Sequence, residues 1–131
     1  MADEARERRR RVLLVDDHAR ARQALRELLE ELDPQLCIEL AADGTAAVRR
    51  CAEEPPDLVL LDYRIPGATA AETLARLHGA DADLPVVVLT GDPTADVVDE
   101  VIAAGALACL GKAGNVEDLL DVIRSHARHR S

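Results

Sequence analysis

The chain has 131 residues, 48% of them hydrophobic but only 1% aromatic, and 25 acidic residues outweigh 16 basic ones to give a net charge of −9. This length suits one domain with a real core, and the core must be aliphatic because Tyr63 is the only aromatic residue. An acidic chain without aromatic platforms excludes nucleic-acid binding by the usual basic or stacking surfaces.

Charge is uneven along the chain. Residues 1–11 hold five arginines against three acids, which leaves the remainder at −11. The "RERRR" run is expected to be a solvated, partly frayed lead over residues 1–10 rather than a docking arm.

In chain order, the first unbroken aliphatic run is Val12–Val15 (β1), which leads straight into Asp16 and Asp17. Leu25, Leu28, Leu29 and Leu32 then form a stripe at helical spacing (α1). Leu36–Leu40 (β2) ends in Ala41 and Ala42, and a second helix is expected before Leu58–Leu61 (β3), which ends in Asp62. Thr69-Ala-Ala-Glu72 fits a capping box opening α3, with Gly79 placed to stop it. Val86–Leu89 (β4) ends in Thr90, and Asp92-Pro93 puts proline at the first position of α4, whose stripe is Val97, Val98, Val101 and Ile102 and whose stop is Gly105. Leu107–Leu110 (β5) leads to Lys112. Asn115 can cap α5, where Val116, Leu119, Leu120 and Ile123 fall at i, i+3, i+4 and i+7.

The runs are mostly unbroken rather than alternating, as strands buried on both faces should be. Five strands each followed by a helix give an α/β fold, a (βα)5 doubly wound, five-stranded parallel sheet. Periodicity alone does not fix the strand order. Cys37, Cys51 and Cys109 lack metal-ligand or CxxC spacing and are expected to be reduced, buried small hydrophobes. The charged N-terminus has no signal-peptide pattern, and no apolar run reaches the about 20 residues of a membrane span, so a cytoplasmic location is expected.

In such sheets ligands bind beyond the carboxyl ends of the strands. The polar residues ending the runs are Asp16, Asp17, Asp62, Thr90 and Lys112. Each alone has a bland reading as a cap, a turn residue or a surface charge. Together they place three carboxylates, a hydroxyl and an ammonium on one edge. Clustered carboxylates are tolerable around a divalent cation, and Mg²⁺ prefers few carboxylates plus waters and phosphate oxygens. An ammonium and a hydroxyl suit phosphoryl oxygens, and one carboxylate is left as a nucleophile able to form an aspartyl phosphate.

"VLLVDDH", "DLVLLDYRIPG", "VVVLTGD" and "GALACLGKAG" resemble the receiver domain of two-component response regulators, over residues 11–125, with 126–131 left as a tail. The resemblance is nearest to receivers that precede helix-turn-helix output domains. It implies strand order 2-1-3-4-5 and Asp62 as phosphoacceptor, charged by a sensor histidine kinase or a phosphotransfer protein. It implies Mg²⁺ held directly by Asp17, Asp62 and the backbone carbonyl of Arg64, with Asp16 acting through water. Thr90 and Lys112 would bind the phosphoryl group. The domain would catalyse only its own phosphorylation and dephosphorylation, and it would not touch nucleic acid or membrane. It would signal through the face of α4, β5 and α5, where a homodimer or a target protein would sit.

Three departures from the family pattern stand out. Cys109 occupies the place of a switch aromatic, Ala113 that of a proline after the lysine, and Ala70 that of a frequent glycine. A redox role for Cys109 is the less favoured reading beside a small buried residue. A cis bond before Ala113 would cost about 3 kcal/mol. Arg64 and Asp92 are expected to overhang the site and pair across its mouth, hindering the water that attacks the acyl phosphate. His18 is expected in the first turn of α1 facing solvent, and Tyr63 in packing or partner contact.

Rival readings fare worse. A flavodoxin would need a phosphate loop after β1, where two anions stand, and a haloacid-dehalogenase-type phosphatase needs an acid where Arg64 stands. A degenerate receiver kept as an unphosphorylated interaction module would usually lack one of the five site residues. The "SHARHRS" end fits either a stand-alone regulator or a receiver cut from a longer protein.

Overall fold

The computed structural model describes residues 9–128; residues 1–8 and 129–131, which hold most of the expected basic lead and half of the expected tail, lie outside the described residues. Five parallel strands, β1 (Arg10–Val15), β2 (Leu36–Ala41), β3 (Leu58–Asp62), β4 (Val86–Thr90) and β5 (Ala108–Gly111), form one sheet in the order 2-1-3-4-5. The helices are α1 (Ala19–Leu32), α2 (Gly44–Glu53), α3 (Ala70–Ala80), α4 (Ala95–Ala103) and α5 (Val116–His126).

Successive side chains of a strand point to opposite faces, so each inner run feeds two cores. Leu13, Val15, Val59, Leu61, Val86 and Val88 pack with Ala47, Cys51, Leu74, Leu77 and Val101 of α2, α3 and α4. Val12, Leu14, Leu58, Leu60, Val87 and Leu89 pack with Leu29 of α1 and Leu119, Leu120 and Ile123 of α5. Every residue of β3 and β4 is buried, which explains why their sequences show no polar alternation. β5 lies on the edge and all four of its residues are only partly buried.

The helix ends agree with the predicted signals at three places and differ at two. Thr69 and Glu72 form both bonds of the capping box, and Asn115 accepts from the Glu117 N–H at 2.8 Å. Gly105, at φ +112°, ends α4: its N–H donates to Ile102 O and the Ala106 N–H to Val101 O, a Schellman pair that only a left-handed residue closes. Gly79, by contrast, lies inside the last turn of α3, which runs on to Ala80. Pro93 is not the first residue of α4 either. Thr94 is the cap, accepting from the Val97 N–H at 3.3 Å, so Pro93 belongs to the preceding loop.

Burial is also narrower than the helical stripes suggested. In α1 only Leu29 is fully buried, while Leu28 and Leu32 are more than 40% exposed; in α4 only Val101 is. Leu107 precedes β5 and is 49% exposed. Cys51 is fully buried, but Cys37 and Cys109 are half-buried, because β2 and β5 are edge strands. All three thiols are free. Among the described residues no peptide bond is cis, so Lys112–Ala113 is trans, and no helix is long and apolar enough to cross a membrane.

The amino edge of the sheet is held by charge. Arg10 opens β1, inside the expected lead, and Arg11 is 3% exposed. The Arg11 guanidinium meets Glu39 at 2.6 Å and Glu54 at 3.2 Å, and its backbone N–H donates to Asp57 Oδ2 at 2.8 Å. The Asp57 N–H returns a bond to Arg11 O at 2.8 Å, and the Arg128 N–H donates to Asp57 O at 3.0 Å, drawing in residues expected to be tail. A buried hydrogen bond to a charged acceptor contributes about 1.5–3 kcal/mol, so Asp57→Ala should lower the unfolding free energy by about 2–3 kcal/mol in urea with an unchanged m value.

Burial, reinforced by the Asp81 carboxylate, pushes the Cys51 thiol up to about 11. At a pH of about 8 native Cys51 should therefore resist iodoacetamide and react only in urea, as peptide mass mapping would show.

Candidate functional site

The register of the parallel strands gathers the polar strand ends. Val15 pairs with Leu61, Asp62 with Leu89 and Thr90 with Gly111, so Asp16, Asp62, Thr90 and Lys112 follow one another across the carboxyl edge. Asp16, Asp62 and Thr90 are 6%, 4% and 3% exposed. The Asp16 N–H donates to Ala41 O at 3.1 Å, which anchors the acid pair to β2 as well.

Lys112 faces the acids as expected. Its Nζ donates to Asp62 Oδ2 at 2.7 Å and lies 3.8 Å from Asp16 Oδ2. The other oxygen of Asp62, Oδ1, accepts the Arg64 N–H at 3.2 Å. One ammonium thus serves two buried carboxylates, while a third, Asp17, stands beside them. Asp17 Oδ1 is buried and accepts no hydrogen bond. A buried carboxylate oxygen that accepts no hydrogen bond among like charges is a cation-binding feature, and three carboxylates supply the oxygen donors that a hard divalent ion takes. Donor atoms of Asp16, Asp17, His18 and Asp62 lie within 4.8 Å of one another. The residues present therefore fit a divalent cation.

Thr90 points its hydroxyl at its own loop. Its Oγ1 accepts the Asp92 N–H at 3.2 Å, and the Thr94 N–H donates to Asp92 O at 2.9 Å. The site hydroxyl is in this way two hydrogen bonds from the cap of α4. The Lys112 N–H donates to Thr90 O at 2.7 Å, which ties β5 to the same turn.

Two expectations need correction, while Tyr63 and Cys109 pack as expected. Arg64 and Asp92 are both exposed, and no ion pair links them among the described residues; the Asp92 backbone is engaged by Thr90 instead. His18 is exposed as expected but is the cap residue of α1 rather than part of its first turn, and its Nδ1 lies beside the acids. Tyr63 packs against the α2–α4 core beside Cys109 and donates its hydroxyl to Glu100 of α4 at 2.6 Å. That hydrogen bond is the main cause that raises the tyrosine's pKa. Burial likewise raises the Cys109 thiol, which favours the packing reading over a reactive one.

Sequence reasoning missed Arg22, whose guanidinium reaches back from α1 to donate to Asp16 O at 2.8 Å. Its signal was its place, one turn into the helix that the acid pair precedes. An apolar cavity of about 480 Å³ also opens beside Asp62 and Lys112, between Leu25 and Leu28 of α1 and Val116 and Leu119 of α5.

Residues 12–124 match the family model of the response regulator receiver domain. The transcriptional regulatory protein LiaR of Bacillus subtilis is 35% identical over 118 residues, which are 90% of this chain and 56% of LiaR. The response regulator UvrY of Escherichia coli K12 is 32% identical over 87% of this chain and 52% of its own. The chain therefore spans about half the length of these curated relatives. The sporulation initiation phosphotransferase F of Bacillus subtilis, 31% identical, is matched over 92% of its length and 88% of this chain. Among solved structures, a LuxR-family two-component response regulator from Aurantimonas sp. SI85-9A1 superposes with a TM-score of 0.84 at 27% identity, over 89% of this chain and 84% of that one.

Because Asp17 crowds a cluster already holding two buried carboxylates, Asp17→Asn should raise the unfolding free energy in EDTA by about 1 kcal/mol, read from urea melts.

Proposed function

The chain belongs to the response regulator receiver domain family of two-component systems, and on that premise we propose that it is a phosphorylation switch whose acceptor is Asp62. The observation that carries this reading is the 2.7 Å contact between Lys112 and Asp62 at an edge where Asp16 and Asp17 converge.

The donor in this reading is a phosphohistidine of a sensor histidine kinase or a phosphotransfer protein. A carboxylate oxygen of Asp62 attacks phosphorus, the O–P bond forms, and the P–N bond breaks to release imidazole. Asp16, Asp17, Asp62 and the Arg64 carbonyl would hold Mg²⁺, which supplies charge neutralisation for the incoming phosphoryl oxygens. Lys112 is already placed to follow the charge: its ammonium exchanges the carboxylate for a phosphoryl oxygen. Thr90 exchanges its bond with the Asp92 backbone for another phosphoryl oxygen. Since Asp92 also accepts from Thr94, the cap of α4, this exchange pulls on the start of α4.

The face of α4, β5 and α5 is then the output surface, and Ile102 on α4 and Leu107 before β5 are exposed apolar side chains available to a second copy or a target. Such signalling belongs in the cytoplasm, with the output exerted on a partner or on a domain like those of the longer regulators. Catalysis by the domain is limited to its own aspartyl phosphate.

The test is intact mass after incubation with a small phosphodonor. A phosphoryl adduct is expected with Mg²⁺, absent in EDTA and absent in Asp62→Asn. No adduct in the native chain under either condition, or an adduct that persists in Asp62→Asn, would overturn the reading.

A further inference from the structure

The acid pair is followed by a histidine that no part of the fold requires. His18 caps α1 by position only: its side chain makes no capping bond and is 72% exposed. Its backbone N–H donates to Asp16 Oδ1 at 2.9 Å, and this turn brings the imidazole back over the carboxylates. Nδ1 lies 3.1 Å from Asp17 Oδ1 and 3.4 Å from Asp16 Oδ1.

Two observations make this more than a neighbouring charge. Asp17 Oδ1 is the buried oxygen that accepts no hydrogen bond, even though the imidazole nitrogen is so near. The separations also have a meaning in coordination geometry. Adjacent ligands on an octahedral ion with bonds of about 2.1 Å stand about 3.0 Å apart. Lys112, meanwhile, bonds Asp62 Oδ2 at 2.7 Å and stands 3.8 Å from Asp16 Oδ2, on the far side of the acids from His18, and Asp17 Oδ1 accepts no hydrogen bond that an ion would have to displace.

We propose that His18 is a nitrogen ligand of the divalent-cation seat and shifts its preference from Mg²⁺ toward Mn²⁺ and later first-row ions. The inference rests on the reading of the acidic edge as a cation seat. Mg²⁺ takes oxygen and water and draws little from an imidazole. A borderline first-row ion gains a strong bond from it. The residue acts on ion selection and leaves the identity of the acceptor unchanged.

Mn²⁺ and Mg²⁺ affinities of the full chain and of His18→Ala, by calorimetry, test this, together with pulsed electron paramagnetic resonance of the bound Mn²⁺. The native chain should show a directly coupled ¹⁴N. His18→Ala should lose that coupling and weaken Mn²⁺ binding on the order of tenfold, while Mg²⁺ binding changes less than about twofold. Retained Mg²⁺ binding also shows that the variant is folded. Mn²⁺ binding without ¹⁴N coupling, and with equal affinity in both chains, would overturn the role of His18 and leave the seat standing. Failure of the native chain to bind either ion would overturn the seat itself and this inference with it.

Discussion

Mutual repulsion among Asp16, Asp17 and Asp62 is the constraint around which the carboxyl edge is arranged. The sheet register forces these carboxylates together, since β1 and β3 are neighbours with Val15 opposite Leu61. Burial of Asp16 and Asp62 denies them most of the water that would screen the contact. Everything else at this edge answers that repulsion. Lys112 bonds Asp62 and reaches toward Asp16, the Arg64 N–H supplies a donor, and Arg22 clamps the backbone where the pair begins. The compensation is incomplete, and Asp17 Oδ1 is where it falls short. Three carboxylates facing one ammonium leave two negative charges uncompensated, and such a site is poised to take a divalent cation and then an anion.

The opposite edge uses the reverse pattern. There a buried cation, Arg11, is surrounded by Glu39, Glu54 and the backbone around Asp57. Most of its donors are engaged within the fold, although its Nε has no hydrogen-bond partner. These contacts join β1 to β2 and to the start of β3, so they fix the register on which the acid cluster at the other end depends. One end of the strands is electrostatically closed and the other open.

Much of this was legible in the sequence because buried parallel strands leave an unmistakable trace. The runs at Val12, Leu58 and Val86 had no polar alternation, and the polar residue ending each run lies on the shared carboxyl edge in all three. Caps with a local mechanism, Thr69 and Asn115, were legible for the same reason: the partners lie within three residues. What needed distant partners was not. Arg11 reads like the arginines of the "RERRR" run that precedes it until Asp57, 46 residues on, is brought beside it. The stripe of α1 shows which side faces inward but not how far the sheet extends beneath it, so Leu28 and Leu32 share the stripe yet stay exposed. Proximity of His18 to the acids depends on a turn set by Asp16 Oδ1, a contact that spacing alone does not reveal.

The placement of the lysine has a mechanical consequence. The acids stand on interior strands clamped by packing on both faces, whereas Lys112 follows a four-residue edge strand that is half exposed throughout. The anionic half of the site is therefore rigid and the cationic half compliant. A change of occupant can be absorbed by the rim alone, and the sheet need not deform to record it.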